Sequence, residues 1–143
     1  MATVWTVDQD KVITAETKAQ QAIEEQRRLI DAERDRRILS GFFFQGAVYQ
    51  TRLEDRENIA GASTAALAAV MQGAQAGDYL WHGGTTPFVW IAANNSENLM
   101  DAPTMFAFGQ AALAHKKAHI FAARALKNMD SIPADFADDS YWP

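Results

Sequence analysis

Between Asp101 and Asn128 the only proline is Pro103, and it stands in the first turn of a helix that Asp101 is placed to cap. The next proline is Pro133, so nothing interrupts a helix over residues 102–128. At about 100° per residue, Met105, Phe108, Ala112, His115, His119, Ala122 and Leu126 form one stripe, with Gln110, Lys117, Arg124 and Asn128 opposite. One face is core and the other is wet. Phe106, Leu113 and Ile120 widen the apolar arc at its shoulder, which predicts a central helix touching more than one neighbour.

A second helix is predicted from Thr14 to about Ser40, a stretch without proline or glycine that ends at Gly41. Its character differs. Six acidic and six basic side chains are interspersed from Glu16 to Arg37, the pattern of a solvated surface with i,i+4 pairs. The pairs Ala22/Ile23 and Leu29/Ile30 lie seven residues apart, and the next heptad offers Arg36 and Arg37, so the seam is short. A helix this long and polar needs its thin stripe packed on something. The expectation is an arm, residues 1–40, that self-associates or docks on a partner. A short strand over Thr3–Val7 precedes it, anchored by Trp5. The predicted interface residues are Trp5, Val7, Ile23, Leu29 and Ile30, taken as the apolar groups least able to reach the body.

Residues 41–143 are expected to form the body, a compact α+β domain. GFFFQGAVYQ reads as a hairpin turning at Gln45-Gly46. Thr51 and Glu54 fit a capping box for a helix to about Gln75, whose small-residue face suits close packing against the last helix. Tyr79–His82 and Phe88–Ile91 read as a second hairpin joined by Gly83 to Pro87. The fold class is α+β: a small antiparallel sheet of two hairpins against two helices, preceded by the helical arm. Tyr141 and Trp142 are expected to dock back on the body.

The 143 residues suit one domain, and 48% hydrophobic content is enough for one core. A formal charge of −5, with cations scattered among anions, gives no footprint for nucleic acid. No cysteine is present, which removes disulfides and thiolate metal sites. A soluble chain without a secretory signal or a membrane span is expected. His115 and His119 share the i,i+4 spacing of zincins, but Lys116 follows where the catalytic glutamate would stand, so a hydrogen-bonded core pair is the better reading. His82-Gly83-Gly84 has no G-x-S-x-G elbow to serve, and Gly83-Gly84-Thr85 precedes a strand rather than a helix N-terminus. No catalytic, metal or cofactor site is expected, and no enzyme.

Taken in series, the arginine-rich helix leading into FFFQGAVYQT, then Glu54 to Ile59, Trp90 to Asn95, Leu99 to Phe108, the His115 helix and the terminal Tyr141-Trp142-Pro143 resemble the DUF4376 family. The likeness covers about residues 30–143. That family is found in tail and tail-fibre-associated proteins of bacteriophages and prophages. The resemblance implies a structural component of a phage tail or tail-fibre apparatus, located in the virion tail and in host cytoplasm during assembly. The alternative it leaves open is a non-virion assembly chaperone for a tail fibre. Implied partners are other tail or fibre proteins, further copies of the chain, with a trimer as first guess, and the host surface. The family pattern expects Asp-Asn after the tryptophan strand. Asn94 replaces that Asp, so any acidic role there is missing from this chain.

Overall fold

The structure, a computed structural model, describes residues 14–143; the expected strand over residues 3–7, with Trp5 and Val7, lies outside the described residues. Three helices and two small antiparallel sheets make an α+β fold: α1 (Ala15–Leu39), β1 (Phe42–Phe44), β2 (Ala47–Tyr49), α2 (Leu53–Met71), β3 (Val89–Ile91), β4 (Glu97–Leu99) and α3 (Ala102–Lys127). A 3-10 turn, Asp139–Tyr141, follows near the end of the described residues.

α3 is the centre, and its ends follow from the sequence. Asp101 Oδ1 accepts the Thr104 amide at 2.8 Å while its Oδ2 accepts the Gly77 amide at 2.9 Å, so one carboxylate caps the helix and fixes the loop before it. Phe108, fully buried, is the hub of the core. Its ring centre lies 4.7 Å from Tyr49, 5.2 Å from Phe44, 5.3 Å from Phe42 and 5.7 Å from Trp90, which draws both hairpins onto one helix.

β1 and β2 pair with Phe42 opposite Tyr49 and Phe44 opposite Ala47, around the expected Gln45-Gly46 turn. The second hairpin differs from expectation. Tyr79–His82 forms turns, and β3 pairs instead with β4, Val89 opposite Leu99 and Ile91 opposite Glu97. Trp81 explains the difference, because its indole N–H donates to the Met100 carbonyl at 2.9 Å and its ring lies against Phe88. Its aromatic bulk serves packing, not strand pairing. The β3–β4 turn is made by Asn95, at φ 67°, and by Asn94, whose Oδ1 accepts both the Ser96 amide and hydroxyl. An aspartate would supply the same oxygen. The Ala93 amide donates to the Val48 carbonyl at 2.8 Å and links the two hairpins.

α2 begins one residue later than the expected capping box. The Arg52 amide donates to Asp55 Oδ2, in place of the Thr51/Glu54 arrangement, and the helix ends at Met71, short of Gln75. Thr51 is buried for another reason: its hydroxyl donates to the Ile38 carbonyl at 2.6 Å and accepts the Gly41 amide at 3.0 Å. α2 lies close on α3 through Ile59, Ser63 and Ala66.

Candidate functional site

The arm divides into two parts with different fates. Over residues 15–25 every side chain of α1 is exposed, whereas Ile30 and Ile38 are buried. Ile30 packs with Ala123, Leu126 and Trp142 in a second cluster. This corrects the expectation that Ile30 is among the apolar groups least able to reach the body. The reason is the C-terminal tail, which returns over α1 and covers it. Ile23 and Leu29 remain exposed, at 37% and 39%. The end of α1 is thus built into the body, and a division of the chain after residue 40 passes through packed side chains.

Charge holds this junction. Asp31 accepts Lys127 from α3 at 2.7 Å and Arg34 at 2.9 Å. Arg37 donates to Glu33, to Asp139 and to the Ala137 carbonyl, and its guanidinium stands 5.2 Å from the Trp142 ring centre. Hydrogen bonds from Arg36 and Arg37 bring the Glu33 carboxyl down to about 2. Trp142 donates its indole N–H to the Phe136 carbonyl at 2.8 Å, so the tail is itself folded before it docks. Both docking of the terminal aromatic residues and the ion pairing of the arm follow the sequence reading.

His115 and His119 sit where α1, β1 and the tail meet α3. His119 is buried, and its Nδ1–H donates to the His115 carbonyl at 2.7 Å, which fixes the tautomer. Its ring lies near that of Trp142, and His115 stacks on Phe42. Among the described residues no group of three His, Cys, Asp or Glu side chains is placed to hold a metal ion. His82 is exposed beside Trp81 and Phe88.

The surface that sequence reasoning missed lies on the other side of α1. Leu39, Leu53, Leu113 and Ile120 are each more than 40% exposed. Leu113 and Ile120 were expected to touch a second neighbour; they lie instead beside open clefts, Leu113 with the start of α2 and Ile120 with the end of α1. Their place on the shoulder of α3 was the available signal.

What this arrangement offers is an α+β body with a projecting polar helix and exposed apolar side chains. The chain belongs to the family described as Domain of unknown function (DUF4376), whose match spans residues 9–140. No curated protein and no solved structure matches it.

Proposed function

We propose that the protein is a structural component of a bacteriophage tail or tail-fibre apparatus, acting by protein–protein binding rather than catalysis. The observation that carries the binding reading is the exposed first part of α1, a helical segment that extends from a body anchoring its other end. Among the described residues its side chains are all exposed, and so short a length of polar helix is marginal without a partner. Support for the phage setting is the resemblance over the arginine-rich helix, the FFFQGAVYQT hairpin and the terminal aromatic residues. The partners on this reading are neighbouring tail or fibre subunits and further copies of the chain, with Ile23 and Leu29 as contact residues on α1 and Trp5 and Val7 preceding it. Mass spectrometry of purified particles tests it. The protein is expected at stoichiometric levels in finished virions, and abundance in infected cells with absence from particles overturns the reading.

A further inference from the structure

Two adjoining clefts share Arg56 and Lys116 as lining residues and together make one stretch of indented surface, here called the groove. Its walls are the end of α1 (Arg34 to Leu39), the start of α2 (Leu53 to Ala60) and the middle of α3 (Gly109 to Ile120). Exposed leucine and isoleucine side chains line it; Arg34, Arg56 and Lys116 outnumber the acidic Asp35 and Glu57, Asp35 is paired with Arg34, and the two shared cations make no ion pair among the described residues. An apolar trough with unpaired cations at its middle fits an amphipathic helix with acidic groups beside its apolar side chains.

The projecting part of α1 offers a single large apolar group, Ile23, flanked by acidic ones. Glu16, Gln20, Ile23 and Glu24 share one face of the projecting part of α1, and neither Glu16 nor Glu24 makes an ion pair among the described residues. This face cannot reach the groove of its own molecule. α1 is unbroken from Ala15 to Leu39, and its own end forms one wall. Along the axis Glu24 stands about 16 Å and Glu16 about 28 Å from Asp35 in that wall. The arm of another copy is not held back in this way.

We infer that the groove receives the projecting part of α1, residues 15–26, from a second copy of this chain, with Glu16 and Glu24 meeting Arg56 and Lys116 and Ile23 meeting the apolar wall. Every copy has one arm and one groove, so two copies can exchange arms reciprocally. The exchange doubles the buried area, which matters because stable complexes bury about 1,200–2,000 Å² in total and one short helix falls below that. The inference rests on the reading of the arm as a binding element but not on the phage setting, since self-association is measured on purified protein and virion content is not.

Charge exchange tests it. Sedimentation velocity on the purified full chain is expected to show concentration-dependent self-association, weakened at least tenfold by Arg56→Glu with Lys116→Glu and equally by Glu16→Lys with Glu24→Lys. Circular dichroism melting checks that both variants stay folded. Mixing the two variants is expected to restore association, because the basic arm of one then faces the acidic groove of the other and the converse contact is also of opposite sign. A wild-type chain that stays monomeric at its highest soluble concentration overturns the inference. So does association unchanged by groove reversal, or a mixture that fails to recover.

Discussion

His115 carries its Nε2 in a buried position without a hydrogen-bond partner, between the Phe42 ring and His119 on the next turn. Burial lowers its pKa, the neighbouring His119 lowers it further, and the carbonyls of Ile38 and Arg37 pull weakly the other way. Because the folded chain resists a proton that the unfolded chain accepts, the stability this site contributes is complete above the ordinary histidine value of 6.5 and is lost as pH falls below it. Carboxylates with lowered values, among them Glu33, Asp55 and Asp101, act in the same direction but only below their ordinary values near 4. Melting temperature is therefore expected to fall between pH 7 and pH 5, and His115→Gln should flatten that slope. An unchanged slope in the variant would remove His115 as the cause. Thr51 gives a second test at this scale, since its one hydroxyl serves both the Ile38 carbonyl and the Gly41 amide. Gly41 is held at φ +98°, with an added Cβ only 2.7 Å from the Tyr49 carbonyl, so the chain cannot relax there to find other partners. Thr51→Val leaves a buried carbonyl and a partly buried amide unpaired and is expected to cost about 1 to 3 kcal/mol in urea denaturation, with Thr51→Ser losing clearly less.

The contact of α2 with α3 depends on one absent side chain. A Cβ at Gly109 would stand 2.3 Å from Ser63 Cβ, which is too close to the backbone for a rotamer change to relieve. Alanine gains about 1 kcal/mol of helix propensity over glycine, but forcing the helices apart costs about 1 to 3 kcal/mol, so the overpacking term wins. Gly109→Ala is expected to be net destabilising. Gly61→Ala, on α2 with nothing within 4 Å, is expected to stabilise by about 0.5 to 1 kcal/mol. Equal shifts in the two variants would contradict close packing at Gly109. The elements that the sequence made legible are those with chemical end marks: Asp101 and Pro103 on α3, Thr14 and Gly41 at the ends of α1, Gln45-Gly46 in the first hairpin. The second hairpin was misread because Tyr79–His82 has the composition of a strand, while its real partner, Glu97–Leu99, is short and polar and is defined by the Asn94-Asn95 turn. The start of α2 was misread by one residue because Thr51 suits a cap, yet its hydroxyl is taken by α1. Propensity reports local preference, and in both places a contact distant in sequence decided.

At the scale of the molecule, the groove and the buried part of the arm were illegible for one reason: each depends on how α1 and the tail cross α3. Ile30 and Leu29 are neighbours of similar apolarity, and no pattern within the helix separates them. The return of Trp142 buries one and leaves the other at 39% exposure. That difference sets the last expectation. Leu29→Asp should leave stability within about 1 kcal/mol, as surface changes do, whereas Ile30→Asp places a charge among Ala123, Leu126 and Trp142 and should cost more than about 4 kcal/mol. Truncation makes the same distinction. Removing residues 1–26 takes away exposed helix and leaves Ile30, Asp31, Arg37 and Ile38 in place, so the remaining chain should melt within a few degrees of the full protein. Removing residues 1–40 also strips the Lys127 and Asp139 ion pairs, the Thr51 hydrogen bond to Ile38 and the Ile30 cluster, and the product is expected to unfold or to melt far lower. Differential scanning calorimetry of the two truncations decides it. Equal melting temperatures would mean that the end of α1 is only laid against the body; a large gap means that the body of this domain begins inside the helix, near Ile30.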